Sequence, residues 1–247
     1  MMIWLRPVIA IARREIASYL ATPIALVFVV VFLLLQGLAT FELGQWLERD
    51  QADLAPFFGY LPWVLLLLVP ALTMRLWAED RRSGAIELLL TLPITATQAV
   101  VGKFLAAWAM CLAALLCTLP FVVTVNILGR PDNGTIACGY FGAALLCAGF
   151  VALGGAASAL TRNQVVAFVG GLTLCLLFAV VGLPSVSGFL TGPAPWLAAL
   201  GRHLSIATRF EALSRGLLAL PDLLWFAAFV GFWLTATVVT LDLRRSA

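Results

Sequence analysis

Residues 77–104, WAEDRRSGAIELLLTLPITATQAVVGKF, form a charged segment between two long apolar runs. Four consecutive ionic residues occupy positions 79–82, and Ser83-Gly84 follows them as a flexible joint. Charged side chains at this density do not lie in hydrocarbon, because an unpaired charge is costly to remove from water. The segment therefore predicts a loop that leaves the membrane between two spanning helices.

The second half of this segment predicts a short helix followed by the start of a longer one. Residues 85–92 form an amphipathic turn or two, with apolar side chains on one side and Glu87 on another. Pro93 ends that helix. Thr95 and Gln98 have the spacing of a capping box, which predicts a new helix that continues into the next span. We therefore expect a short helix parallel to the membrane between two helix ends.

The composition of the whole chain is that of a membrane protein. Hydrophobic residues make up 63% of the 247 residues, charged residues 11%, and the mean hydropathy is +1.06. A helix needs about 20 mainly apolar residues to cross a bilayer. Residues 1–247 therefore predict one all-α integral membrane domain with six spans, at residues 24–41, 57–76, 104–125, 136–160, 165–183 and 223–241.

Residues 1–23 predict a separate helix that does not span. Apolar residues in this stretch recur at helical spacing, while Arg6, Arg13 and Arg14 occupy other faces, as in a basic amphipathic helix at a membrane interface. Thr22-Pro23 supplies an N-cap and a proline at the first helical position of the first span. The alternative is one long tilted helix over residues 3–41. The stretch has no compact apolar core with a cleavage site, so no cleavable signal peptide is expected.

Basic residues predict the orientation, since Lys and Arg accumulate in short cytoplasmic segments. With the N-terminus inside, ten of the 15 basic residues lie on the inner side and five on the outer side. Both termini are therefore expected in the cytoplasm, with the chain in a bacterial inner membrane. The net charge of +3 follows from this asymmetry and from attraction to anionic lipids, and it requires no nucleic-acid partner.

Prolines and small residues interrupt the apolar spans. Pro62 and Pro70 lie in the second span, which then either lines a pathway or packs around a kink. The five cysteines form no CxxC pair and are interpreted as small buried apolar residues. Small residues in the fourth and fifth spans predict close helix packing, at Gly149, Gly154, Gly155, Ala156, Ala157, Ser158, Gly170 and Gly171.

The connections between spans carry weaker signals. Residues 133–135 match a glycosylation sequon, but an ordinary Asn-Gly turn is the interpretation we favour. Residues 161–164 predict a plain helix hairpin, with a minor contact to a partner protein as the alternative. His203, the single histidine, is interpreted as an interfacial side chain and not as a ligand or base.

The segment 184–221 is too polar and too often broken by proline and glycine to cross the membrane. Thr208 and Glu211 have the spacing of another capping box, and Gly216 supplies a helix stop. We therefore expect a short re-entrant or surface helix that ends at Arg215, on the outer side.

The run EDRRSGAIELLLTLPITATQAVVGKF (residues 79–104) resembles the hallmark segment of ABC-2-type transporter permeases. In that family an acidic and basic cluster precedes a glycine, a Glu-Leu-Leu helix, a proline and a Gly-Lys-Phe at the next span. The number of spans, the N-terminal helix and the late stretch 209–216 also fit, so the resemblance covers essentially the whole chain. Within the family the chain is most similar to the short permeases of the gliding-motility type.

The resemblance implies that residues 79–93 form a coupling helix, which docks in a cleft of a separate ATP-binding subunit. Two such subunits close when they bind ATP, and the docked helix passes that movement to the spans. The alternative is a solvated loop whose charges only set the orientation. The residues that would contact the ATPase are Glu79, Arg81, Arg82, Gly84, Glu87, Leu88, Leu89 and Pro93.

The family also implies which partners the chain has. A second permease chain would complete a homodimer or heterodimer, with the second and fifth spans beside the substrate route. Lipids surround the spans, and an extracytoplasmic accessory protein is a further candidate partner. ATP and Mg²⁺ would be bound by the ATPase, because Gly102-Lys103-Phe104 does not complete the phosphate-binding pattern GxxxxGK[ST].

No catalytic residue, cofactor site or metal site is expected in this chain. HExxH, GxSxG and acidic pairs within the spans are missing, which argues against a protease, hydrolase or metal enzyme. A proton-coupled carrier would need ionisable residues at depth. The expected function is that of an exporter permease, and the alternative is a non-transporting anchor that transmits force to an extracytoplasmic partner. The mild polarity of the spans suits an amphiphile, a glycan or a peptide equally, at Gln36, Thr73, Thr118, Thr124 and Thr173.

Overall fold

The computed structural model describes residues 2–49, 51–84, 94–184, 186 and 195–245. Within these ranges the regular structure is helical and contains no β-strand, as the all-α prediction requires. The main helices are α1 (Met2–Ala21), α2 (Pro23–Leu38), α3 (Ala55–Thr73), α4 (Arg75–Ser83), α5 (Ala96–Leu116), α6 (Leu119–Leu128), α7 (Asn133–Ala159), α8 (Gln164–Val180), α9 (Pro195–Leu204), α10 (Ile206–Ser214) and α11 (Leu220–Arg245).

Five helical stretches of the described chain are long and apolar enough to cross a bilayer, namely Ala25–Leu43, Ala55–Ser83, Ala96–Leu128, Asn133–Ala159 and Leu220–Leu243. They correspond to five of the six predicted spans. The remaining prediction, 165–183, coincides with α8, which has only 17 residues. A helix of that length covers about 25 Å, less than the roughly 30 Å of a typical hydrocarbon core.

Two spans are longer than predicted and are interrupted. The second extends from Ala55 to Ser83 with a break at Met74, whereas the prediction was 57–76. The third extends from Ala96 to Leu128, whereas the prediction was 104–125, and it breaks between α5 and α6. Pro120 stands in the first turn of α6, where its missing N–H is tolerated.

The N-terminal helix α1 is separate from α2, so the alternative of one long helix is wrong. Thr22 has extended backbone angles and α2 begins at Pro23, as predicted, although the Thr22 hydroxyl bonds back to Ser18 O and Tyr19 O and does not cap α2. α1 packs mainly on α5. A β-carbon added at Gly102 of α5 would lie 2.9 Å from Ile11 Cβ, so the glycine permits this close crossing.

α7 is the central helix, with α3, α5, α8, α10 and α11 packed around it. The predicted small-residue face is confirmed here, because a β-carbon at Gly154 would overlap the Thr73 side chain of α3. On the α8 side, a β-carbon at Gly171 would lie 3.5 Å from the Cα of Gly154. Small residues therefore allow three helix backbones to approach one another at this point.

The predicted outer helix exists as α10, with one correction. Its N-cap is Ser205, whose hydroxyl oxygen accepts from Thr208 N, and not Thr208. Its end at Ser214 and the positive φ of Gly216 (83°) agree with the predicted stop. The Thr208 hydroxyl instead donates to carbonyls at the end of α9, which holds α9 against α10.

α10 lies along the N-terminal and middle part of α7. Its buried face of Ile206, Phe210 and Leu213 packs on α7, where β-carbons at Gly142 and Gly149 would collide with Leu213 and Ile206. Gly149 is the seventeenth residue of α7 counted from Asn133, about 24 Å along the helix. This placement favours a re-entrant helix over a surface helix.

Asp132 caps α7 and gives a pH-dependent contribution to stability. The Asp132 carboxylate accepts hydrogen bonds from the Thr135 hydroxyl and from the amides of Thr135 and Gly134. These bonds lower the pKa of Asp132, and the bond from the Thr135 hydroxyl has the largest effect. A lowered folded-state pKa means that the contribution is present above the usual value of about 3.9 and is lost as the pH falls through the folded value. We expect Asp132→Asn, which cannot titrate, to lose less thermal stability than the wild type on acidification. Equal losses in a detergent melting series would contradict this assignment.

Candidate functional site

The charged residues 79–82 lie in helix α4 and not in the predicted loop. α4 follows α3 after the break at Met74 and extends about 13 Å to Ser83. It ends at Gly84, whose φ of +74° is left-handed and favours glycine. The loop prediction was wrong because it took the charges as solvated, whereas several of them are paired on the helix surface.

Ser158 of α7 stabilises the start of α4. Its Oγ accepts from the amides of Trp77 and Ala78, each at 3.1 Å, and its hydroxyl donates to Met74 O at 2.8 Å. First-turn amides of a helix have no partner within the helix, so a side chain from another helix serves here as the cap. The fully buried Ser158 therefore stabilises both the helix break at Met74 and the start of α4.

Removing the Ser158 hydroxyl is expected to loosen α4 selectively. Ser158→Ala leaves two buried amides and one carbonyl without this partner, at a cost of about 1–3 kcal/mol in the free energy of unfolding. Amide hydrogen exchange of residues 75–83 should rise more than that of α3, and Ser158→Thr, which retains a hydroxyl, should be less affected. Uniform exchange across both helices would contradict a local role.

Lys103 of α5 is the buried charge that joins α1, α4 and α5. Its side chain is only 2% exposed, and its Nζ donates to Leu76 O at 2.7 Å. Nζ also lies 3.1 Å from Glu15 Oε1 and 2.8 Å from Asp80 Oδ2. The indole of Trp77 lies beneath it, with Nζ 5.1 Å from the ring centroid. A buried cation with two carboxylates and a carbonyl is well compensated.

A second ion pair extends this arrangement along α4. Arg75 Nε donates to Glu79 Oε2 at 2.7 Å, four residues further on. Arg75 Nη1 is buried without a hydrogen-bond partner, and Asp80 Oδ2 accepts no well-angled hydrogen bond despite its closeness to Lys103. We call Glu15, Arg75, Glu79, Asp80 and Lys103 the ionic cluster.

Tyr19 lies beside the ionic cluster, between the end of α1 and the end of α3. Burial, followed by the nearby Glu15 carboxylate, raises the pKa of Tyr19. The hydroxyl therefore stays neutral at ordinary pH, and it donates to Leu72 O at 3.4 Å. Tyr19 thereby attaches the end of α1 to the end of α3.

Four of the predicted ATPase-contact residues lie on or directly after α4. Glu79 is in the ionic cluster with 44% of its side chain exposed, and Arg82 is exposed. Arg81 is half-buried and takes part in a further interaction. Gly84 forms the left-handed turn. The other four, Glu87, Leu88, Leu89 and Pro93, lie outside the described residues.

The helix after this segment starts as predicted. Thr95 Oγ1 accepts from Gln98 N, and Gln98 Oε1 accepts from Thr95 N at 2.9 Å, which completes the capping box. Gln98 Nε2 also donates to Trp4 O at 3.3 Å. The start of α5 is therefore attached to α1 at two levels, through Gln98 and through Lys103.

Sequence reasoning missed Ser158, Lys103 and Glu15 as positioning residues. From the sequence, Ser158 is one small residue among several, Lys103 is one of the inner basic residues, and Glu15 has no assigned role. The available signal was a lysine about two turns inside the helix that the capping box at Thr95 starts, because a charge on an apolar helix requires partners.

Three of the polar residues in the spans form hydrogen bonds with backbone carbonyls of this chain. Gln36 Nε2 donates to Phe57 O at 2.7 Å, and the hydroxyls of Thr73 and Thr118 bond to carbonyls of their own helices. All three residues are fully buried. They therefore do not line an open route within a single chain.

A separate ion pair, between α10 and α11, lies away from the ionic cluster. Arg209 Nη1 of α10 donates to Asp222 Oδ1 of α11 at 2.5 Å, and the Arg209 guanidinium lies 5.9 Å from the Trp225 ring centroid. His203 Nδ1 is 3.5 Å from Arg209 Nη2. These contacts hold α9 and α10 against the last span, and they place His203 beside a cation without giving it a metal or a base role.

The long apolar helices and the ionic cluster at one end are those of a multi-pass α-helical membrane protein. The family model described as ABC-2 family transporter protein matches residues 9–239. The chain therefore belongs to the ABC-2 transporter family, as the resemblance indicated. No curated protein matched the chain.

Proposed function

We propose that this chain is the membrane-spanning subunit of an ABC exporter and that a separate ATPase docks on residues 79–93. The observation that carries the proposal is the family match over nearly the whole chain, together with the position of α4. α4 extends the second span past its break at Met74 and ends at the Gly84 turn, within the segment expected to dock. ATP and Mg²⁺ are then held by the partner.

The ionic cluster supplies the mechanical connection that such a subunit needs. A force applied beyond Gly84 acts on α4, and Lys103 carries it to α5 and, through Glu15, to α1. Ser158 carries it to α7, the central helix. Because each contact is buried or half-buried, the four helices move together, and a small displacement at one end is transmitted to the spans.

The remaining parts of the proposal concern topology and assembly. The helix α1 lies in the inner membrane interface, and both termini are cytoplasmic, because the Arg-rich α1, the end of α4 and Lys103 meet at one end of the molecule. α8 serves as the sixth crossing. Two permease chains, identical or similar, assemble with two ATPases, and the direction is export.

Gly84 provides a test with a matched control. Gly84→Val places a β-branched residue at a φ of +74°, which costs about 1–2 kcal/mol and redirects the docking segment. Gly84→Asn tolerates the left-handed conformation. A β-carbon at Gly84 meets nothing within 4 Å, so both variants should retain the membrane fold.

The tagged full-length chain would be purified in mild detergent, and co-purifying proteins identified by mass spectrometry. We expect a nucleotide-binding subunit, with recovered ATPase activity lowered by Gly84→Val and not by Gly84→Asn. Cross-linking from Arg82→Cys to that subunit should succeed from the cytoplasmic side. Labelling of the same cysteine from the outside of intact cells would reject the proposed orientation.

Force transmission without transport remains the second candidate, favoured by the way α10 is held. α10 packs on the central helix α7 and is clamped to α11 by Arg209 and Asp222, so movement of the spans reaches the outer surface directly. Export of a substrate into sealed vesicles supports the exporter. The force-transmitting anchor is supported if neither the wild type nor Arg209→Ala moves substrate and the variant loses its effect on an extracytoplasmic partner.

A further inference from the structure

Two cavities of opposite character are neighbours, one bordered by α1, α4 and α5 and the other by α2 and α3. The first has a volume of about 390 Å³ and is bordered by the ionic cluster, Arg14 and Ser18. The second has a volume of about 330 Å³ and is almost entirely apolar. Tyr19 borders the first and Leu72 the second, and the hydrogen bond between these two residues places the cavities next to each other.

The apolar groove lies between the first two spans. Pro23, Val27 and Val31 of α2 form one wall, and Leu68, Ala71 and Leu72 of α3 form the other. From Pro23 to Val31 the helix rises about 12 Å, close to the roughly 15 Å depth of one hydrocarbon leaflet. The groove therefore matches an acyl chain that enters from the α1 end of the bundle.

The polar cavity contains equal numbers of cations and anions. Arg14, Arg75 and Lys103 face it together with Glu15, Glu79 and Asp80. These side chains pair among themselves, yet Arg75 Nη1 has no hydrogen-bond partner. Much of Arg14 and Glu79 is also open to solvent.

We propose that the two cavities together bind one phospholipid with a zwitterionic head group that carries a primary ammonium, as in phosphatidylethanolamine. Its phosphate accepts from Arg14 and Arg75, and its ammonium donates to Glu79 and Asp80. One acyl chain occupies the groove between α2 and α3. The lipid occupies the leaflet at the α1 end of the bundle, which is the inner leaflet in the orientation proposed above, and its binding does not depend on ATPase docking.

The balance of charge selects this head group over the alternatives. An anionic head group without an ammonium would bring its negative charge beside three carboxylates, Glu15, Glu79 and Asp80, and offer them no donor. A choline head group has the same charges but no N–H donor for the carboxylates. Charge-assisted hydrogen bonds from an ammonium are stronger than contacts with a methylated one.

Native mass spectrometry of the full-length chain can test the proposal. The protein would be delipidated in detergent and then equilibrated with equal amounts of phosphatidylethanolamine, phosphatidylcholine and phosphatidylglycerol. We expect about tenfold greater retention of phosphatidylethanolamine than of phosphatidylglycerol, because one charge-assisted contact is worth about that factor. Preference for phosphatidylglycerol, equal retention of all three lipids, or no retained lipid would overturn it.

Two pairs of variants locate the lipid. Arg14→Ala should lower retention of phosphatidylethanolamine about tenfold, whereas Arg13→Ala, its exposed neighbour that does not border the cavity, should not. Ala71→Trp fills the groove and should displace the lipid, whereas Ala227→Trp, at an exposed position of α11, should not. Equal losses within either pair would show general attraction to the membrane surface.

A soluble probe separates the head-group site from the lipid site. Phosphoethanolamine has the same charged groups and no acyl chain, so it should compete only weakly with the lipid. Its weak binding should depend on Arg14 and not on Ala71. Full displacement of the lipid by an equal concentration of phosphoethanolamine would reject a role for the groove.

Discussion

Lys103→Met is expected to give the largest loss of stability of any single substitution considered for this chain. It removes the cation that compensates Glu15 and Asp80 and leaves both carboxylates close together in a half-buried place. Breaking one side of a buried ion pair typically costs about 3–5 kcal/mol in the free energy of unfolding. The melting temperature in detergent should fall sharply, and contact between α1 and α5 should weaken.

A compensated triple variant distinguishes lost charge balance from lost packing. Lys103→Met combined with Glu15→Gln and Asp80→Asn contains no charge at the centre of the ionic cluster, so much of the stability should return. ATPase activity coupled to the complex should not return with it, because the uncharged contacts hold α1, α4 and α5 together less firmly. If the single and triple variants melt alike, Lys103 contributes by packing and not by compensation.

Gly154→Ala is expected to be nearly as harmful, although it adds only one methyl group. That methyl would overlap the Thr73 side chain of α3, and Thr73 Oγ1 already donates to Val69 O at 3.0 Å. Excess volume in a well-packed interior costs about 1–3 kcal/mol, and here it must push α3 away from α7. The helix break at Met74 and the start of α4 should move together with α3.

The neighbouring glycine is the natural control for this prediction. A β-carbon at Gly155 would meet only Leu76 Cδ1, at 4.0 Å, which is ordinary contact. Gly155→Ala should therefore be neutral or stabilising, since alanine is favoured over glycine by about 1 kcal/mol within a helix. Similar melting temperatures for the two variants would show that α3 and α7 are not tightly packed at Thr73.

Local signals made much of the fold predictable. The start of α2 at Pro23 and the capping box at Thr95 depend on residues within four positions of each other, and both are found where the sequence placed them. The spans followed from hydropathy, because a bilayer requires long apolar helices. The cap of α10 was misplaced by three residues, because Thr208 with Glu211 completes the capping-box pattern whereas Ser205 has Thr208 in place of the Glu or Gln.

The connections within the ionic cluster could not be read from local patterns. Ser158 is 81 residues from Trp77, and Lys103 must fold against α1 before its partner Glu15 can be identified. The charged run at 79–82 was expected in a loop because composition reports polarity and not pairing. The breaks at Met74 and Thr118 likewise depend on contacts with α7.

The shortness of α8 has a consequence for the surrounding bilayer. Val165, Val166, Val169, Leu176 and Leu177 point away from the protein interior, yet the helix that carries them is about 5 Å shorter than typical hydrocarbon. Such hydrophobic mismatch is relieved by local thinning of the lipid layer or by association with another protein surface, at a fraction of a kcal/mol per Å. With α8 as the proposed sixth crossing, we expect this face to deform the membrane around an isolated chain, and a bilayer of shorter lipids to reduce the tendency of two chains to associate there.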